Sequence, residues 1–196
     1  VNLWVRPDDN PNWNQLLVVG SDSTHYAVLA SNGDPYGKKV GLTVALRNGG
    51  SEERIAAPSG VTLTTGEWNM VTYVESESYA ALYLNGQKLD TKYYDAQVNA
   101  RADGSEYLKL SFAAVAAAAN ASAQIGRSPF FPDNNFDGMV GDFALYQGAL
   151  TGAEIEKLYS EKTAQLDEDA IRLTKEYLEK TYNGTKTKNS LTLPVT

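Results

Sequence analysis

The sequence predicts an all-β fold, an antiparallel β-sandwich with a helical C-terminal appendage. Three observations carry that expectation. Short apolar segments recur along roughly the first 150 residues, with turn signals between them. No helical pattern is interleaved with them, which argues against βαβ units. After Leu150 the pattern changes to helical spacing, with acids and bases around apolar positions.

The elements follow in chain order. Leu3 and Val5 alternate with Asn2 and Arg6, a strand signature that puts Trp4 on the opposite face. The run from Pro7 to Asn12 breaks it. Residues 15–20 (QLLVVG) and 25–30 (HYAVLA) read as strands, the second closed by the turn cluster Ser31-Asn32-Gly33-Asp34-Pro35. Residues 41–47 and 68–75 alternate. Residues 80–84 (AALYL) meet 87–89 across Asn85-Gly86, the dipeptide that best supports a type I′ hairpin turn. Residues 108–119 are Ala-rich, and periodicity leaves helix and strand open. The whole stretch 93–120 reads as an inserted loop with a strand near 107–112. Residues 124–126 and 139–146 are the last strands.

Thr151 and Glu154 fit the N-cap and N3 places of a capping box, with Leu150 and Ile155 at the hydrophobic-staple positions. A short helix to about Ser160 follows. A second helix is expected over 164–182, with Leu166, Ala170, Leu173 and Tyr177 as its apolar stripe and Asn183-Gly184 as its stop. Residues 189–195 then read as a strand. This divides the chain into a sandwich over 1–162 and, over 163–196, a helical linker with the start of a following module. Val1 opens inside a strand, so the chain reads as a segment of a longer protein lacking its N-terminal strand or strands.

Composition limits the chemistry. The 196 residues contain no cysteine and one histidine, which removes disulfide scaffolds, thiolate catalysis and His/Cys metal clusters. A net charge of −7 argues against nucleic acid and anionic membrane as partners. No apolar run reaches the roughly 20 residues of a membrane span, and residues 1–6 are not a signal peptide. Glycoside hydrolysis needs two acids about 5–9.5 Å apart across a bond. No strand here spaces its acids in that way. Asp167-Glu168-Asp169 reads as the charged start of a helix, and Glu52-Glu53 as a solvated turn. His25 reads as a surface or strand-edge residue.

The motifs resemble a known family. Residues 2–8 (NLWVRPD) and 68–84, ending in LYLNG, resemble strands of laminin-G-like, concanavalin A-like jelly-roll domains. The stretch 124–159, with IGR, FDGMVGDFALYQGAL and TGAEIEKLY, resembles that family's ending. The resemblance implies an antiparallel jelly-roll sandwich. It also implies a structural calcium, with Asp142 matching the family's Asp of the last strand and Asp22 and Asp137 as candidate partners. Glycan binding needs aromatic faces beside amide and carboxylate groups. Trp13, Tyr36, Tyr93, Tyr94, Phe130 and Phe131 are the candidates. A helix followed by NSLTLPV resembles the start of an immunoglobulin-like module in multi-domain bacterial glycoside hydrolases. The expected role is therefore a non-catalytic carbohydrate-binding or architectural module of a secreted or cell-surface protein. Its partners would be a polysaccharide such as arabinan or xylan and neighbouring domains of the same chain. The alternatives are a protein-interaction or adhesion module, or a spacer without ligand.

Overall fold

A computed structural model describes residues 1–33, 39–95, 108, 110–118, 120–127, 132–162 and 171–173. Two six-stranded sheets face each other. Sheet I runs in the order β12 (Ile171–Leu173), β11 (Gly138–Ala144), β1 (Asn2–Pro7), β6 (Asn69–Ser76), β7 (Tyr79–Leu84), β8 (Gln87–Lys88). Sheet II runs β10 (Ser122–Ile125), β2 (Gln15–Asp22), β3 (His25–Ala30), β4 (Thr43–Asn48), β5 (Glu53–Ala56), β9 (Lys92–Asp95). Neighbours within each sheet pair antiparallel, as the jelly-roll expectation requires.

Strand alternation sorts the side chains into layers. Leu3, Val5, Val71 and Leu82 of sheet I meet Leu17, Ala27, Leu29, Val44 and Ile55 of sheet II in the central core. Trp4, Met70, Val74, Ala81 and Tyr83 turn the other way, onto the outer face of sheet I. The helix α2 (Gly152–Lys162) covers that face with Ile155, Leu158 and Tyr159. Its capping box forms as the sequence predicts: Glu154 N donates to Thr151 Oγ1 at 3.3 Å, and Thr151 N donates to Glu154 Oε2 at 2.7 Å. The Asn85-Gly86 turn also forms, with φ of +51° and +81°. Gly86 has a second reason to be glycine, because a Cβ there would lie 3.1 Å from Tyr159 Cβ.

Three expectations are corrected. Phe112 opens a short helix, α1 (Phe112–Ala116), rather than closing a strand. Ser111 caps it by accepting from Ala114 N, and the Glu75 carboxylate accepts from Phe112 N at 3.0 Å and Ala113 N at 3.2 Å. The helix drives Val115 into the central core. Second, Ile171–Leu173 is a strand within the stretch expected to be helical. It pairs with β11, with Ile171 opposite Val140. The open edge of sheet I offers a row of unpaired backbone groups, and that demand overrides local helical spacing. Third, β5 and β9 occupy stretches that read as turn and loop, and they extend sheet II by two strands.

Candidate functional site

The outer face of sheet II is where a site forms. Its strands place small apolar side chains outward: Val18, Val28, Ala30 and Ala45 form one buried patch. A bulge tunes the same face. β2 changes register between Gln15 and Leu17 where it pairs with β3. Leu16 and Leu17 both enter the central core, and Gln15 is carried to the outer side opposite Ala30. One inserted residue thus re-aims a polar side chain into the site.

Loops from both ends close over this patch. Trp13, held at φ +54°, donates its backbone N–H to Asn32 O at 2.7 Å and lays its indole on the apolar patch. Asn134 ties the opposing loop down: its Nδ2 donates to Asn12 O at 2.7 Å, and its carbonyl accepts from Gln15 N at 3.2 Å. Between these loops lies a cavity of about 160 Å³, floored by Val28 and Ala45 and walled by Trp13, Gln15, Tyr26, Glu52, Arg54 and Asp133.

The polar walls form one linked network. Glu52 binds through both oxygens, accepting from Arg54 Nε on one and from the Tyr26 hydroxyl on the other. Both partners of the Arg54–Glu52 pair are nearly buried, with side-chain exposures of 9% and 12%. The guanidinium lies 5.2 Å from the centre of the Trp13 ring, a cation–π contact that orients both groups. Burial and the Glu52 carboxylate push the Tyr26 hydroxyl well above its ordinary range, so it stays a donor. Gln15 Nε2 donates to Trp13 O at 3.1 Å and to Asp133 Oδ2 at 3.2 Å. Among the described residues, Gln15 Oε1 and Arg54 Nη1 are buried with no hydrogen-bond partner.

Asp133 is strained electrostatically. Burial first, and the neighbouring Glu52 charge second, raise its carboxyl above the usual range. The folded state therefore holds this proton to higher pH than the unfolded state does, and ionisation weakens the fold as pH rises through the raised value. Asp133→Asn is expected to raise the urea midpoint at pH 7, with the gain shrinking as pH falls toward 4. A gain that is absent, or constant across pH, would contradict this assignment.

The candidates from sequence divide clearly. Trp13 lies in the site. Tyr94 projects from β9 on the same outer face, opposite Arg54 in register, packed on Val40 and Ala56. Tyr93 points the other way, against the central core, with its hydroxyl donating to Ala80 O at 2.7 Å. It is therefore no part of this face. Tyr36, Phe130 and Phe131 lie outside the described residues. Glu52 is no solvated turn but the centre of the network. Gln15, Tyr26, Arg54 and Asp133 are further site residues that the sequence pattern did not single out.

The three candidate calcium ligands are not brought together. Asp22 closes the β2–β3 turn, accepting from Thr24 Oγ1 at 2.6 Å, Thr24 N at 2.7 Å and His25 Nδ1 at 3.1 Å. Those bonds, Thr24's foremost, hold its carboxyl well below the usual range. Asp142 lies on β11 in the other sheet and pairs with Lys162. Asp137 precedes β11, its carbonyl accepting from Asp8 N at 2.8 Å. Among the described residues no three His, Cys, Asp or Glu side chains are placed to hold a metal ion. The calcium implied by the resemblance does not fit these residues.

Two larger cavities, of about 280 and 340 Å³, lie beside α1 and share Tyr73 and Glu75. The Glu75 carboxylate is consumed there by capping α1 and by the Tyr73 hydroxyl at 2.9 Å. Neither cavity is lined by a buried polar atom lacking a partner. Of these three cavities, the one on sheet II alone is lined by an indole, with Gln15 and Arg54 beside it.

The comparisons with known proteins agree with this architecture. A family model described as the concanavalin A-like lectin/glucanases superfamily matches residues 1–156. Domain 4 of a GH43 extracellular arabinanase from Geobacillus stearothermophilus, solved with arabinotriose, superposes with a TM-score of 0.55 at 18% identity. That match covers 81% of this chain and 64% of the other. The heptameric SAP-like pentraxin from Limulus polyphemus superposes with a TM-score of 0.50 at 16% identity, over 88% of this chain and 77% of the other. No curated protein matches the chain.

Proposed function

Because the chain belongs to the concanavalin A-like lectin/glucanases superfamily, we propose that it is a non-catalytic carbohydrate-binding module that holds glycan on the outer face of sheet II. The observation that carries this reading is the cavity at Trp13, where apolar ring surface stands beside the polar side chains of Gln15, Tyr26, Arg54 and Asp133. Sugars present apolar C–H faces and hydroxyl edges together, which is the complement of such a wall. Binding rather than hydrolysis is favoured by Glu52, whose two oxygens are both engaged by structural partners. A carboxylate tied to an ion pair on one oxygen and to a phenol on the other serves to hold the wall of the cavity.

The likeness to a domain of an extracellular arabinanase supports a finer reading. We place the module in a secreted or surface-bound multi-domain bacterial glycoside hydrolase acting on plant polysaccharide such as arabinan or xylan.

Affinity gel electrophoresis tests the proposal. The protein is expected to be retarded in gels containing arabinan or xylan, and Trp13→Ala to abolish the retardation. A loss of at least tenfold in affinity corresponds to about 1.4 kcal/mol of contact at the indole. Retardation that survives Trp13→Ala unchanged would remove the site from this face. Absence of retardation in every polysaccharide would remove the function.

A further inference from the structure

We infer that the sheet II cavity takes up its glycan together with a proton, which Asp133 holds in the bound state, so that affinity falls as pH rises; this rests on the carbohydrate-binding reading above. Two acids line one small cavity, and they are not equivalent. Glu52 has a cation beside it, the Arg54 guanidinium. Asp133 has none: among the described residues no Lys, Arg or His pairs with it. Its one hydrogen bond there comes from Gln15 Nε2, which donates to Oδ2. The residue is only half-buried, so its carboxyl meets whatever fills the cavity. The other ionisable walls are fixed. Arg54 on β5 stays charged. Tyr26 on β3 keeps its proton, its hydroxyl donating to Glu52. Arg47 of β4 acts on Tyr26 and is no wall of the cavity. Asp133 is the wall with a proton to exchange.

The direction follows from what a sugar does to that wall. A ring that fills a cavity of about 160 Å³ replaces the solvent between the two acids. Losing solvent raises the cost of a charge on Asp133 and strengthens its repulsion by Glu52. Both effects already act in the free protein, where they hold the Asp133 carboxyl above the usual range. The sugar deepens them. A neutral carboxyl escapes both, and it offers a ring hydroxyl a donor as well as an acceptor, whereas a carboxylate only accepts. Gln15 Nε2 keeps Oδ2 as an acceptor, so the proton belongs on Oδ1. Asp133 then titrates at a higher pH in the complex than in the free protein. Binding is fully strong below the free value and weakens as pH rises through the bound one.

The test is isothermal titration calorimetry of the whole chain with arabinotriose and with xylotriose, from pH 4.5 to pH 7.5. Each pH is run in two buffers of different ionisation enthalpy, so that the heats count the protons exchanged. Net proton uptake is expected, with Kd rising about tenfold across the range, the change that a one-unit difference between the free and bound carboxyl produces. Asp133→Asn keeps a donor and an acceptor but has no proton to titrate, and its Kd is expected not to vary with pH. Should that variant fail to fold, chemical-shift titration of Asp133 in the unaltered protein decides, and saturating sugar should move its titration to higher pH. Proton release, or binding without proton exchange, would overturn the inference and leave the module reading intact. Uptake that persists in Asp133→Asn would place the proton on another group and overturn it as well. Where only a polysaccharide binds, gel retardation makes the same comparison. It should weaken from pH 4.5 to pH 7.5, and equal retardation at both would overturn the inference. No binding of any of these sugars at any pH would remove both readings.

Discussion

Trp4→Ala is expected to cost about 3–5 kcal/mol of folding stability and to release α2 from the sandwich. Trp4 is 1% exposed and sits on the outer face of sheet I, away from the central core. Its ring stacks on Tyr159 of α2, with centroids 5.6 Å apart and planes within 7°. Met70 stands beside it on the neighbouring β6, Tyr83 joins the cluster from β7, and Ile155 closes it from α2. α2 is an 11-residue helix, too short to persist without a docking face. Removing the indole leaves a void between two rigid layers, which neither the β1–β6 ladder nor the helix can collapse to fill. The loss should appear as a lower urea midpoint with an unchanged slope. Amides of α2 should exchange faster than those of β2 and β3. Glycan affinity should not change, because the site lies on the outer face of the other sheet. A loss below 1 kcal/mol would mean that the cluster under α2 contributes little to holding the helix.

The Trp4 layer was legible in the sequence because its signals are local. The alternation of Leu3 and Val5 with Trp4 is a period of two, and the Thr151–Glu154 box and the Leu150–Ile155 staple lie within one helical turn. The Asn85-Gly86 turn is a dipeptide. What stayed hidden depends on distant partners. Residues 53–56 begin with two charged groups and look solvated, yet Arg54 and Glu52 bury each other against Tyr26, 26 positions before Glu52. Nothing in the local pattern announces that pairing. Gln15 looks like the polar start of an apolar strand, and only the register shift against β3 turns it into the site. Trp13 was identifiable from its neighbours Asn12 and Asn14, but Tyr93 and Tyr94 could not be separated until β9 paired with β5 and fixed which ring faces outward. The helical spacing of 164–182 is real as a pattern. It lost at Ile171–Leu173 because the open edge of β11 offers a whole row of hydrogen bonds, whereas helix propensity offers tenths of a kcal/mol per residue.

Glu52→Ala should have the largest effect on the site, because it breaks a nearly buried ion pair from one side. Arg54 would keep its charge at 7% exposure with its partner gone, a change that costs about 3–5 kcal/mol in buried pairs. The Tyr26 hydroxyl would lose its acceptor as well. Three controls separate charge from shape. Glu52→Gln keeps an acceptor for Arg54 Nε and should cost less than half as much. Arg54→Met alone leaves Glu52 with the Tyr26 hydroxyl, and the double variant Glu52→Ala/Arg54→Met should recover most of the loss, because no orphaned charge remains. Binding should not recover in the double variant, since the guanidinium that lies over the Trp13 ring is then absent. A neighbouring titration supplies an independent readout. Glu52 is one of the two causes that raise the Asp133 carboxyl, so Glu52→Gln should lower that titration toward the ordinary range without restoring it, burial being the larger cause. Chemical-shift titration of Asp133 distinguishes these outcomes. If its titration is unmoved by Glu52→Gln while Glu52→Ala destabilises strongly, Glu52 supports Arg54 alone and the two carboxylates do not share the cavity. If the titration falls and stability is unchanged, the Arg54 charge finds another partner, and the cavity wall assigned to it is wrong.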